Sequence, residues 1–155
     1  MGNHQPETEG LNLELDANPS KSDIQVLDDG LAQFNNSTTV GRDRIKIPVA
    51  VWLRQRGRVL GGAYGNTHYG WLYLSTLWVH EQVRSEGWGS RLIALFEAEG
   101  LARGCHGAWV ETYGFQAPTF YERVGYQEFG RLEEFPPGSA RHFLWKPLPG
   151  KDQRL

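Results

Sequence analysis

Apolar and polar residues alternate with period two in several short runs and with a helical period in longer ones. Leu11, Leu13 and Leu15 alternate with polar neighbours, which predicts a first strand over residues 11–15. Ile24, Leu27, Leu31 and Phe34 then fall on one helical face. Ser22 is the expected cap of that helix, which starts near Asp23 and ends in Asn35-Asn36-Ser37-Thr38. Residues 46–54 and 59–64 read as strands joined at Gln55-Arg56-Gly57-Arg58, a hairpin signal. Residues 71–79 form a longer strand, and a helix from Gly87 to near Arg103 follows it and stops at Gly104. Residues 108–112 read as a buried strand, and Pro118 suits the first turn of a short helix ending by Gly125. Residues 126–133 and 142–146 are the last two strands, separated by the turn Phe135-Pro136-Pro137-Gly138.

The order is therefore β-α-β-β-β-α-β-α-β-β. It predicts an α/β fold with a mixed, mostly antiparallel sheet flanked by helices, in which the helix after the fourth strand crosses over to a parallel neighbour. At 155 residues one domain is expected. It would span residues 10–148, between a flexible arm at 1–9 and a tail at 149–155. Apolar residues at 39% and charged residues at 22% describe an ordinary globular protein. A net charge of −2 argues against a general nucleic-acid binder and suits a cationic substrate only weakly. Cys105 is the lone cysteine, so neither a disulfide within the chain nor a thiolate cluster is expected. This fits a reducing cytoplasm, as does a polar, acidic N-terminus unlike a secretory signal. No apolar run approaches a membrane span. His4, His68, His106 and His142 lack ligand spacing, and no metal is expected.

The richest segment chemically is Leu77-Trp78-Val79-His80-Glu81-Gln82-Val83-Arg84-Ser85-Glu86-Gly87-Trp88-Gly89-Ser90. A strand runs into a glycine-broken turn that opens a helix. Such a turn leaves several N–H groups pointing one way at the positive end of the helix dipole, which makes a phosphate site. Gly87 and Gly89 let the backbone approach a ligand, and Arg84 adds a fixed positive charge at the rim. A dinucleotide fingerprint would need a third glycine and a later acidic residue, and a P-loop would need Gly-Lys-Ser/Thr; neither occurs. The pattern present is R-x-x-G-x-G after a strand ending Leu-x-Val. It resembles motif A of the GNAT family of N-acetyltransferases. Downstream, Ala117-Pro118-Thr119-Phe120-Tyr121-Glu122-Arg123-Val124-Gly125-Tyr126 resembles the same family's motif B. The resemblance covers roughly residues 45–147.

It implies that the fourth and fifth strands splay into a V, with acetyl-CoA entering from one side and the acceptor from the other. The backbone of Leu77, Trp78 and Val79 would face the pantetheine arm and the thioester, and a bulge there would free an N–H toward the acetyl carbonyl. Arg84, Ser85, Glu86, Gly87, Trp88, Gly89 and Ser90 would take the pyrophosphate. Ser85 stands where members often have Gly. Gly114 stands where many have Asn, and Gln116 is the substitute expected to contact the cofactor arm. Tyr121 matches the motif B tyrosine, which implies a donor to the departing thiolate. Many members place a Glu on the fourth strand as general base, but this chain has Ser75 and Thr76 there. Glu111 is the nearest acidic substitute; His80, Glu81 and a water chain remain alternatives.

For the acceptor, the resemblance points to Phe34 and Asn35 on the first helix and to Ser75 on the fourth strand. Trp71, Tyr73 and Trp78 would be aromatic walls suited to a cation, with Glu111 and Glu134 as acidic contacts. Tyr113-Gly114-Phe115-Gln116-Ala117 and Phe135-Pro136-Pro137-Gly138 resemble a bacterial subgroup associated with kasugamycin 2′-N-acetyltransferase. That implies acetylation of an aminoglycoside-type antibiotic and resistance by modification. The alternatives are a protein or peptide amine acetyltransferase and a CoA-binding sensor without turnover. Dimers are common in the family, so a homodimer is an open expectation.

Overall fold

The computed structural model describes residues 10–38, 45–116 and 118–149. Backbone contacts divide the chain into two units, Met1–Gly41 and Arg42–Leu155. The first holds one helix, α1 (Lys21–Thr38). Its cap is Ser20 rather than Ser22: the Asp23 N–H donates to Ser20 Oγ at 3.1 Å. A cap hydroxyl must lie before the first turn whose N–H it receives, and Ser22 already lies inside that turn. The helix also runs on through Asn35 and Asn36, residues whose weak helix propensity is overridden here. Residues 11–15 form no strand, and Leu11, Leu13 and Leu15 are exposed. Alternation names a face but supplies no neighbour, and an unpaired strand leaves its N–H and C=O groups without ladder partners.

The second unit is built on a six-stranded sheet. Its strands are β1 (Ile47–Gln55), β2 (Arg58–His68), β3 (Trp71–Val79), β4 (Gly107–Tyr113), β5 (Gln127–Glu133) and β6 (Ala140–Pro147). They lie in the order β1-β2-β3-β4-β6-β5. The β1–β2 hairpin turns at Arg56 and Gly57, both at positive φ (48° and 82°), the geometry that matches strand twist. Helix α2 (Trp88–Ala102) crosses from β3 to β4, the parallel pair. Its residues Leu92, Ile93, Phe96 and Gly100 are buried along one stripe. At Gly100 the helix meets β3: a Cβ there would stand 2.7 Å from Leu72 Cδ2. Helix α3 (Pro118–Arg123) follows β4. Lys146 Nζ donates to Glu97 Oε2 at 2.8 Å and to the Val124 carbonyl at 3.0 Å. One ammonium thus ties α2, β6 and the segment that leaves α3.

β3 and β4 pair only from Trp71↔Gly107 to Leu74↔Val110. Beyond that point β3 stays with β2 as far as Val79, and β4 stays with β6 as far as Tyr113. The two strands open as the expected V. At its apex β3 carries a bulge: pairing passes from Thr76↔Tyr64 to Leu74↔Gly65, which leaves Ser75 as the extra residue. The bulge was expected over residues 77–79 and lies earlier. It also shifts the side-chain phase. Leu72 and Leu74 are buried in the core before it, while Leu77 and Val79 pack against the core after it. Gly65 is bare backbone for a reason, since a Cβ there would overlap the Tyr73 carbonyl oxygen.

Candidate active site

At the open end of the V, β3 leads through His80 into a single 3-10 turn, Glu81–Val83. His80 Nδ1 accepts the Gln82 N–H at 3.2 Å. Ser85 and Gly87 then take positive φ (65° and 79°), and Gly87 caps α2 without a side-chain hydrogen bond. The first amides of α2 are therefore left to a ligand, at the end where the dipole is positive. A cavity of about 510 Å³ lies against this turn, lined among others by Arg84, Ser85, Gly87, Gly89, Phe120 and Arg123. Arg84 Nε donates to the Val79 carbonyl at 2.9 Å, which holds the guanidinium at the rim. Arg123, on the last turn of α3, is a second cation there.

A smaller cavity of about 260 Å³ continues from it past Leu77, Trp78, Val79, Arg84, Gly89 and Phe120. A third, of about 280 Å³, is lined by Ser75, Thr76, Leu77, Val110, Glu111, Thr112, Gln116 and Tyr121. Leu77 borders both, and Val79, Arg84, Gly89 and Phe120 border the first two. The result is a narrow path along the edge of β3 that its partner β4 has left. It starts at a phosphate-type turn and ends between Glu111 and Tyr121.

At that end Glu111 is held by both oxygens. Tyr73 donates its hydroxyl to Oε1 at 2.8 Å, and Arg141 Nη2 meets Oε2 at 2.8 Å. Burial, and then the bond to Glu111, pushes the Tyr73 hydroxyl above its ordinary value, so it stays a donor. Tyr73 is itself stacked on Trp109 at 4.2 Å. Arg141 Nη1 donates to Tyr113 Oη at 3.2 Å, and its guanidinium lies over the Tyr113 and Phe135 rings at 5.1 and 5.0 Å. Across the cavity, Tyr121 is 8% exposed, and burial pushes its hydroxyl up to about 12.

The match to known proteins falls on this part of the chain. Residues 48–128 match the family model described as an acetyltransferase (GNAT) domain, more than half of the chain. The chain belongs to the GNAT acetyltransferases. It is 45% identical over 95 residues to the blasticidin-S acetyltransferase of Streptomyces morookaense, across 61% of this chain and 70% of that protein. Its fold matches the crystal structure of an acetyltransferase from Bacillus cereus ATCC 14579 with a TM-score of 0.81 and 29% identity, over 87% of this chain and 98% of that one. A more distant protein of the same fold, from Bacillus anthracis strain Ames, was solved in complex with acetyl coenzyme A (TM-score 0.58, 17% identity, 65% and 62% covered). This GNAT chain is thus an acyltransferase, in a family that uses acetyl-CoA.

Most of the residues singled out in the sequence come together. Leu77, Trp78 and Val79, the turn residues Arg84, Ser85, Gly87, Trp88, Gly89 and Ser90, and Ser75, Glu111, Gln116 and Tyr121 all line the path. Tyr73 joins it through Glu111. Glu86 instead accepts the Trp88 Nε1 proton at 3.0 Å. Gln116 Oε1 receives the Tyr113 N–H at 3.1 Å and faces Thr112 Oγ1 at 3.3 Å, so only its amide NH₂ is left for a ligand. Trp71 lies at the closed end of the V, in a separate aromatic cavity with Trp109, Phe129 and Trp145. Glu134 Oε2 accepts the Gly138 N–H at 3.0 Å and serves its own turn. Phe34 and Asn35 sit on α1, in the other unit. Ala117 lies outside the described residues. Arg123, Phe120 and Arg141 were missed. The first two stand in the motif B segment beside Tyr121, a signal that was on view; Arg141 reaches Glu111 only through the register of β6 on β4.

Proposed function

We propose that this enzyme transfers the acetyl group of acetyl-CoA to an amine of a small-molecule acceptor of the antibiotic type. The observation that carries the reading is the row of three adjoining cavities along β3, from the glycine turn to the one shared by Glu111 and Tyr121. A long, thin molecule with phosphate at one end and a reactive group at the other fits it. The turn amides, Arg84 and Arg123 would hold the phosphates, and the free edge of β3 beyond Leu74 would bond the amides of the arm. When bound, acetyl-CoA supplies an activated acetyl group as a thioester.

The remaining chemistry belongs to the chain. Backbone N–H groups next to the Ser75 bulge would offer the acetyl carbonyl a fixed dipole for developing negative charge. Tyr121 offers its hydroxyl to the departing sulfur. With its value at about 12 and a thiol near 8.5, complete proton transfer would be uphill by about 5 kcal/mol. Tyr121 therefore acts as a hydrogen-bond donor that keeps its proton. Glu111 presents a carboxylate whose two oxygens each retain a lone pair beyond the bonds from Tyr73 and Arg141. That lone pair receives the N–H of the acceptor amine, orients its nitrogen and takes up the proton it releases.

The test is CoA-thiol release from acetyl-CoA over a panel containing blasticidin S, kasugamycin, polyamines and short peptides, with Tyr121→Phe beside the parent. Turnover on a small antibiotic that falls in the variant supports the reading. Turnover on peptides alone replaces it with peptide acetylation, and tight acetyl-CoA binding with silence across the panel replaces it with a CoA-binding module.

A further inference from the structure

Joined to Glu111 through Arg141, aromatic rings form a corner that acetyl transfer itself does not use. Phe115 lies on the one-turn helix Gly114–Gln116 that follows β4. One of its faces is stacked on Tyr113 at 5.2 Å with an interplanar angle of 3°, yet the residue is 67% exposed. Phe135 stands edge-on to Tyr113 at 6.0 Å and 78° and is 41% exposed. Both supports are fixed. Gln116 Oε1 holds the Tyr113 N–H, and the Phe135 N–H donates to the Ser139 carbonyl at 3.1 Å while Glu134 holds Gly138. Arg141 stands over the Tyr113 and Phe135 rings, anchored by Glu111 and Tyr113.

What sets Phe115 and Phe135 apart from other exposed apolar side chains is that both rest on Tyr113, beside the arginine that holds Glu111. The carboxylates next to them are engaged: Glu111 is paired with Arg141, and Glu134 holds the Gly138 N–H of its own turn, so this corner is not an open acidic trap of the kind a polycationic sugar would select. Each Arg141 Nη carries a second N–H beyond the bond it already makes, a donor suited to the edge of a heterocycle. We infer that this corner is a recognition platform for a flat, hydrogen-bond-accepting heterocycle, the chemistry of a nucleobase, carried by the acceptor near its reactive amine. Phe115 would stack on its face and Phe135 would wall it. This deepens the proposed acetyl transfer and rests on it for the place of the amine.

The test compares aminoethylcytosine with its ring-less counterpart ethylenediamine by calorimetry on protein saturated with CoA. The pyrimidine amine is expected to bind about tenfold tighter or more. Phe115→Ala and Phe135→Leu should each erase most of that advantage, Phe115→Tyr should keep it, and thermal midpoints should stay close to the parent. Equal affinities in the parent, or an advantage untouched by both variants, would overturn the platform. Thiol release separates the two readings. Heterocycle selectivity without acetylation of any amine sinks acetyl transfer and keeps the platform, while acetylation without selectivity sinks the platform alone.

Discussion

Tyr121 and Glu111 line one cavity from two elements, the helix α3 and the open end of β4. Their partners differ: Glu111 is held by Tyr73 and Arg141, whereas Tyr121 packs edge-on against Phe120 and Tyr126 at 5.3 and 5.9 Å. The two functions can therefore be removed one at a time.

Tyr121→Phe keeps the ring and loses the donor. The turnover number should fall by about a hundredfold, the scale for removing one donor to developing charge. The KM for acetyl-CoA should barely move. Steady-state thiol-release kinetics check both at once.

The same residue sets an alkaline limit on stability. Its folded-state value of about 12 lies above the ordinary 10, because burial disfavours the phenolate. A raised value means stability that is complete below pH 10 and drains away as pH climbs from 10 to 12, about 2–3 kcal/mol in all. Urea midpoints of the parent minus those of Tyr121→Phe, measured from pH 9 to 12, should show this loss; a flat difference would exclude it.

Glu111→Gln should cut kcat/KM for the acceptor by about a hundredfold to ten-thousandfold, the range of a positioned acid or base, with little change in KM for acetyl-CoA. A variant with parent-like kinetics would return the base role to water.

Ser85 takes a left-handed φ of 65° that most side chains resist. Ser85→Gly should relieve roughly 1 kcal/mol, partly offset by the looser unfolded chain. Thermal melts with and without acetyl-CoA would show a stabilised turn that still responds to the ligand.

Lys146→Met should be costly, about 3 kcal/mol, because it strands Glu97, whose side chain is only 13% exposed. Adding Glu97→Gln should recover part of the loss. Denaturant unfolding of the single and double variants makes that comparison.

Much of this was legible in the chain itself. The hairpin turn at Arg56-Gly57, the strand over residues 71–79, the helix stopped at Gly104 and the proline-led α3 are each set by local chemistry, and each stands where the pattern put it. The glycine turn and Tyr121 were readable because their residues lie close together in sequence. What was not readable depends on partners. The strand expected at 11–15 has alternation but no neighbour. The position of the bulge is decided by Gly65 on β2, not by β3 alone. The grip on Glu111 joins Tyr73, Glu111 and Arg141 across three strands, and no spacing along the chain announces it.

The bulge at Ser75 makes β3 two half-strands that face the same core through positions of opposite parity. Upstream, even-numbered positions belong to the core; downstream, odd-numbered ones do, and Thr76 and Trp78 are left exposed. Deleting Ser75 would close the ladder, with Leu74↔Gly65 directly beside Thr76↔Tyr64, and would keep Leu72, Leu74, Leu77 and Val79 on the core side. Flattening the bulge at full length would instead turn Thr76 and Trp78 inward and push Leu77 and Val79 out, exchanging the wet and dry sides of the strand. Substitutions at 76 and 78 ask nothing of the core, so this stretch can be re-specified residue by residue for new acceptors. The two sides stay as they are only while the extra residue, Ser75, remains out of the ladder.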